Sequence, residues 1–106
     1  QVFTDIIINA IQAMPNGGKL TIATRPVNSS AVEIEFTDTG EGISKENLPK
    51  IFEPFFTTRE PGKGTGLGLY MIYRILQEHH GHIDVKSEIG KGATFVITLP
   101  ITDVNT

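Results

Sequence analysis

The chain has 106 residues, enough for one domain built on one hydrophobic core and too few for two. Its 39% hydrophobic and 20% charged residues describe a soluble globular protein, its net charge of −3 argues against nucleic acid as the main partner, and the absence of cysteine excludes disulfides and thiol chemistry. The longest apolar runs, such as Ile6 to Ile8, fall far short of the roughly 18 residues of a membrane span, and no signal-peptide pattern is present, so the expectation is a cytoplasmic domain without direct membrane contact.

Residues 1–14 contain neither glycine nor proline, and Phe3, Ile7, Ala10 and Met14 step by four, three and four, one face of a helix that Pro15 ends. At about 100° per residue, Gln1, Asp5, Asn9 and Gln12 gather on the other side as a polar stripe. Such a stripe is either a solvated face or a functional one. The short Asp and Asn side chains serve solubility less well than long charged ones, and Ile8 lies within the polar sector. With no N-cap before Val2, the pattern reads as a piece of something longer.

Pro15-Asn16-Gly17-Gly18 is a turn, Lys19 to Arg25 alternates as a strand, Asn28-Ser29-Ser30 makes the next bend, and Ala31 to Asp38 is a second strand. Val32, Ile34 and Phe36 share one face of it, with Glu33 and Glu35 on the other, so strict alternation points Asp38 toward the apolar side. A carboxylate there requires hydrogen-bond donors. Either the turn amides that follow, in Thr39-Gly40-Glu41-Gly42, or a ligand must supply them.

Ser44 can cap a short helix whose first turn carries Glu46 and whose length Pro49 limits, and Phe52, Phe55 and Phe56 are expected to anchor the next segment on the core. Thr57 to Lys63 turns polar, with Pro61 and Gly62, and reads as a lid. It leads into GKGTGLGL, Gly62 to Leu69, whose alternate Gly64, Gly66 and Gly68 let backbone amides lie against a ligand. Leu69, Ile72, Tyr73 and Leu76 place a helix from about Gly66 to His80, with Gly81 as its left-handed C-terminal residue. Its unpaired first amides and its dipole favour an anion, phosphate above all. The loop lacks the Gly-Lys-Ser/Thr ending of a Walker loop, and its G-x-G-x-G spacing without a preceding strand is not a clean dinucleotide fingerprint. His82 to Ser87 and Ala93 to Leu99 alternate as strands around a turn. Metal binding by His79, His80 and His82 has no carboxylate to complete a familiar motif, and favourable interaction with the helix C-terminus accounts for the first two.

Asn9 on a helix, Asp38 in DTGEGI, FEPFF at 52–56 and GTGLG at 64–68 form an ordered set. Together they closely resemble the catalytic and ATP-binding domain of sensor histidine kinases, in the GHKL superfamily shared with gyrase, mismatch-repair proteins and a heat-shock chaperone family. The resemblance runs from Val2 to Pro100, and FEPFFTT is what selects histidine kinases among the relatives. It implies the Bergerat ATP-binding fold, an α/β two-layer sandwich with a mixed, mostly antiparallel sheet covered by helices on one face, here lacking the usual first strand.

Carried over by position, the resemblance implies that Asn9 coordinates Mg2+ bridging the phosphates of ATP, with Gln12 and Ala13 one turn further along the pocket. Asp38 would accept from the exocyclic amine of adenine, with Gly40, Gly42 and Ile43 shaping the base pocket and Thr94 near the base. Gly64, Thr65, Gly66, Leu67, Gly68 and Leu69 would hold the phosphates, the lid with Arg59 and Lys63 would close over them, and Phe55 and Thr57 count among the ATP-binding candidates. Asp5 stands where these kinases usually carry a second asparagine and ATP-hydrolysing relatives an acidic base, so it is a catalytic candidate. Gln12 replaces a frequent basic residue. The implied partners are the dimerisation and histidine-phosphotransfer helices, absent from residues 1–106, and a response regulator receiver domain. Without the acceptor histidine the chain is not expected to autophosphorylate. The alternatives are an ATP-gated clamp of the gyrase or chaperone type, favoured by Asp5, and a vestigial nucleotide-binding interaction module.

Overall fold

The computed structural model describes residues 2–56 and 68–101. Helix α1 (Val2–Gln12) is followed by strands β1 (Leu20–Asn28) and β2 (Ala31–Asp38), a single 3-10 turn (Leu48–Lys50), helix α2 (Gly68–Glu78), and strands β3 (His82–Glu88) and β4 (Gly92–Pro100). The strands form one sheet in the order β1-β2-β4-β3. Among the described residues all three pairings are antiparallel, in keeping with the expected mostly antiparallel sheet. Two hairpins account for this: the connection through α2 delivers β3 to the far edge, and β4 returns between β3 and β2.

Directly opposed residues of an antiparallel pair point to the same face. The register sets Phe36 opposite Phe95, Ile34 opposite Ile97, and Ile83 and Val85 opposite Ile97 and Phe95. This apolar face is covered by Ile6 from α1 and by Ile72 and Leu76 from α2, with Ile72 and Ile97 fully buried. Each fully buried isoleucine is worth about 1.5–3 kcal/mol relative to exposure. The opposite face is polar and open, and there Arg25 bonds Glu33 and pairs with Glu35. The hydrogen bonds that the guanidinium donates to these two carboxylates hold it above its usual pKa, but an exposed pair of this kind adds little stability.

Several local expectations shift. The buried stripe of α1 centres on Ile6 and Ala10, while Phe3 is 44% exposed with its ring 5.7 Å from that of Phe36. The helix packs against both α2 and β2, so its buried sector turns toward the angle between them. Ser44 Oγ accepts from the Asn47 amide at 3.3 Å, but Pro49 lies inside the following 3-10 turn, where its missing N–H had no partner to lose. Phe52 and Phe56 pack against the core, Phe52 stacking on Tyr73 at 5.8 Å, whereas Phe55 is 73% exposed with φ 66°.

Helix α2 ends one residue earlier than its glycine indicates. His80, with φ 58°, takes the left-handed position, the Gly81 amide donates to Leu76 O at 2.7 Å and the His80 amide to Gln77 O at 3.2 Å, a Schellman pair. Gly81 is required for a different reason: a Cβ there would lie 2.9 Å from Leu99 Cδ2 and 3.2 Å from Thr98 O, where the chain turns against β4.

Candidate functional site

Asp38, the last residue of β2, is 4% exposed and the only buried charged residue among those described. The parity that points it inward also places it beside Ala93, because the β2–β4 register brings Thr37 opposite Thr94 and Phe36 opposite Phe95. Two backbone amides satisfy it from different directions. Gly40 donates to Oδ1 at 2.9 Å, the turn interaction expected of an Asp, and Ala93 donates to the same oxygen at 3.2 Å from across the sheet. Among the described residues every donor to this carboxylate falls on Oδ1.

The loop after Asp38 is clamped by close backbone approaches. A Cβ on Gly40 would lie 2.5 Å from Ala13 O, and the Glu41 amide donates to that same carbonyl at 3.1 Å, which ties the end of the α1 segment to the loop. On the other side a Cβ on Gly42 would meet Glu88 O at 2.1 Å, and one on Gly92, with φ +90°, would meet Asp38 O at 2.1 Å. Ser87 Oγ completes the knot, accepting from the Ile43 amide at 2.8 Å and donating to Gly92 O at 2.7 Å. Gly40 and Gly42 are therefore demanded by packing of the chain on itself. An open cleft of about 430 Å3, lined by Ile43, Ser44, Lys45, Ser87, Glu88 and Ile89, lies by this knot and includes only Ile43 of the predicted site.

Asn9 and Asp5 are half-buried on one edge of α1, and Asp5 is engaged in an interaction of its own. Ala13 is half-buried beside the Asp38 loop, while Gln12 is exposed. Helix α2 begins at Gly68, where a Cβ would meet none of the described residues within 4 Å. Leu69 packs against the core. Thr57, Arg59, Lys63, Gly64, Thr65, Gly66 and Leu67 lie outside the described residues.

Thr94 is not with the others. Its hydroxyl is 3.2 Å from that of Thr37, its partner in the register, on the face of the sheet away from Asp38 and the helices. Alternation along β4 buries Ala93, Phe95 and Ile97 and turns Thr94 to the polar side. Ala93 is the residue of this stretch that meets Asp38. The signal for it was present in the strand parity counted back from Phe95. Ser87, a second residue that the sequence reading passed over, bonds Gly92 O within its own hairpin, but nothing local signals its bond with the Ile43 amide, 44 residues away.

Residues 1–103 match the family model of the histidine kinase-, DNA gyrase B- and HSP90-like ATPases. Sporulation kinase C of Bacillus subtilis (strain 168) is 50% identical over 101 residues, covering 95% of this chain and 23% of that protein. The catalytic domain of the histidine kinase ThkA superimposes with a TM-score of 0.82 at 36% identity, over 97% of this chain and 67% of that one. Full-length ShkA in complex with AMPPNP does so with 0.83 at 26% identity, over 96% and 21%. The chain spans less than a quarter of the length of the curated relatives it matches. On this match the chain belongs to the histidine kinase-, DNA gyrase B- and HSP90-like ATPase family, and its relatives place it with the ATP-binding catalytic domains of sensor histidine kinases.

Proposed function

We propose that this domain binds ATP with magnesium and holds the γ-phosphate for in-line attack by a histidine imidazole on separate dimerisation helices, the phosphoryl group then passing to an aspartate of a response regulator. The observation that carries the reading is Asp38: a carboxylate 4% exposed at the end of a strand, with its donors all on one oxygen, the arrangement of an acceptor for the amine of adenine. Asn9 and Asp5 share the edge of the helix whose end is tied to the Asp38 loop, and their hard oxygen atoms are of the type that suits magnesium. When bound, the metal neutralises phosphate charge. The chain's own contribution is positioning: Asp38 orients the base, Asn9 the metal-facing edge of the triphosphate, and the first amides of α2 the phosphates.

Calorimetric titration of Mg-ATP into the chain tests this. The expected result is one site whose affinity drops in Asn9→Ala mainly through loss of magnesium dependence. A folded wild-type chain that takes up no ATP with or without magnesium refutes the reading.

A further inference from the structure

We infer that Ser87 is a positioning residue of the nucleotide site, its hydroxyl setting the one peptide group through which the β3–β4 hairpin holds Asp38. The inference rests on the nucleotide reading above and concerns what keeps that site in shape. Alternation along β3 turns Ile83, Val85 and Ser87 to the face that the helices cover, so a half-buried hydroxyl ends an otherwise apolar row. The register sets Ser87 opposite Ala93, the residue whose amide reaches Asp38 from across the sheet. The 2.7 Å bond from Ser87 Oγ to Gly92 O would by itself be ordinary turn chemistry of a serine. Its second bond is not of that kind: the Ile43 amide, 44 residues away, donates to the same oxygen at 2.8 Å. The carbonyl that Ser87 grips also belongs to the same peptide group as the Ala93 N–H. That group is planar, so whatever orients its C=O orients its N–H.

The result is a line of hydrogen bonds that all run one way. Ile43 N–H donates to Ser87, Ser87 O–H to Gly92 O, and the N–H of that same peptide to Asp38 Oδ1 at 3.2 Å. Gly40 N–H meets the same carboxylate oxygen at 2.9 Å, so the line closes into a ring with the segment from Asp38 to Ile43. A hydroxyl that accepts becomes the better donor, and the bonds of such a line strengthen one another. Between its two ends Ser87 is the one side chain, so it is the point at which a substitution breaks the line. An alanine there takes the hydroxyl away from Ile43 N–H and Gly92 O and frees the Gly92–Ala93 peptide to tilt. Gly90 N–H still donates to Glu41 O at 2.8 Å, and Gly42 still lies against Glu88 O. The loop therefore stays docked on the hairpin while the grip on Asp38 loosens, and the expected loss is one of affinity more than of fold.

The experiment compares the wild-type chain with Ser87→Ala and with Val85→Ala, the latter at the preceding inward residue of β3, packed on the core and outside the line. Proton–nitrogen correlation NMR of the nucleotide-free chains reads the amides, urea unfolding reads stability, and calorimetric titration reads Mg-ATP affinity. In Ser87→Ala the Ala93 amide proton is expected to move upfield together with that of Ile43, and Mg-ATP affinity to fall about 3- to 10-fold, the range of one neutral hydrogen bond. Val85→Ala is expected to lower the urea midpoint at least as far, through lost core packing, yet to keep the affinity within about twofold. An Ala93 amide that does not move in Ser87→Ala overturns the inference, as does an unchanged affinity in that variant or an equal loss of affinity in Val85→Ala. Should Ser87→Ala not fold, Ser87→Cys carries the same expectations, because sulfur keeps the shape while donating and accepting only weakly. A wild-type chain that binds no Mg-ATP overturns the nucleotide reading and with it the site that Ser87 would serve, a failure that is distinct because it appears before any substitution is made.

Discussion

Placing a methyl group on Gly92 separates backbone strain from steric conflict at the heart of the site. Gly92 has φ +90°, a conformation that costs an alanine about 1–2 kcal/mol. Its Cβ would in addition lie 2.1 Å from Asp38 O, 2.9 Å from Asp38 C and 3.0 Å from Thr39 Cα. All three are backbone atoms at the end of a paired strand, so relief requires β2 and β4 to part locally, and overpacking of this kind costs about 1–3 kcal/mol more. Together these give about 2–5 kcal/mol, a large fraction of the roughly 5–15 kcal/mol that holds a domain folded. Gly17 is the internal control: its φ is +93° but a Cβ there meets none of the described residues within 4 Å, so Gly17→Ala carries the strain without a conflict of the Gly92 kind. Urea unfolding of both variants, followed by far-UV circular dichroism, is expected to show Gly92→Ala less stable than Gly17→Ala by about 1–3 kcal/mol, with ATP affinity reduced only in the former. Equal stability of the two variants would show that the strand ends are not in the contact described, and the account of how Asp38 is held would fall with it.

Two further outcomes are expected. His80→Gly should stabilise the chain by about 0.5–1 kcal/mol in the same assay, because glycine takes the left-handed position at the end of α2 without the Cβ penalty that His80 bears; destabilisation would mean that the imidazole holds the helix end. Thr94→Val should leave the ATP dissociation constant within about twofold while lowering stability by about 1 kcal/mol through loss of the bond to Thr37, and a large loss of ATP binding would place Thr94 on the nucleotide side of the sheet after all.

Much of the fold was legible in local pattern. The span Ala31 to Asp38 coincides with β2 because alternation of Val32, Ile34 and Phe36 against Glu33 and Glu35 is a two-residue period with one wet face. The same period carried Asp38 to the buried side. The helices were legible in existence but less so in orientation: α1 turns its Ile6 and Ala10 inward because it must meet α2 and β2 at once, and no single-helix periodicity encodes two partners. For α2, Gly81 marked the end of the helix correctly to within one residue, yet its bareness answers to Leu99 and Thr98 across the chain. Near the expected site, the inward turn of Asp38 was legible from strand alternation, whereas Thr94, expected beside it, stands one position of strand parity away on the other face of the sheet, against Thr37.

By itself, then, the sequence determined the elements, the buried carboxylate and the family, since each of these depends on residue type and spacing within a few turns or strands. Only the tertiary structure decided what surrounds Asp38. Gly40, Ala93, Gly92 and Ser87 come from three separate stretches, and they meet because the β2–β4 register sets Thr37 opposite Thr94 and because the end of the α1 segment and the β3–β4 turn both press on one loop. Contacts between residues 55 apart, such as the Ala93 amide and Asp38, are chosen by sheet register, a property of the whole packed chain that no local pattern contains.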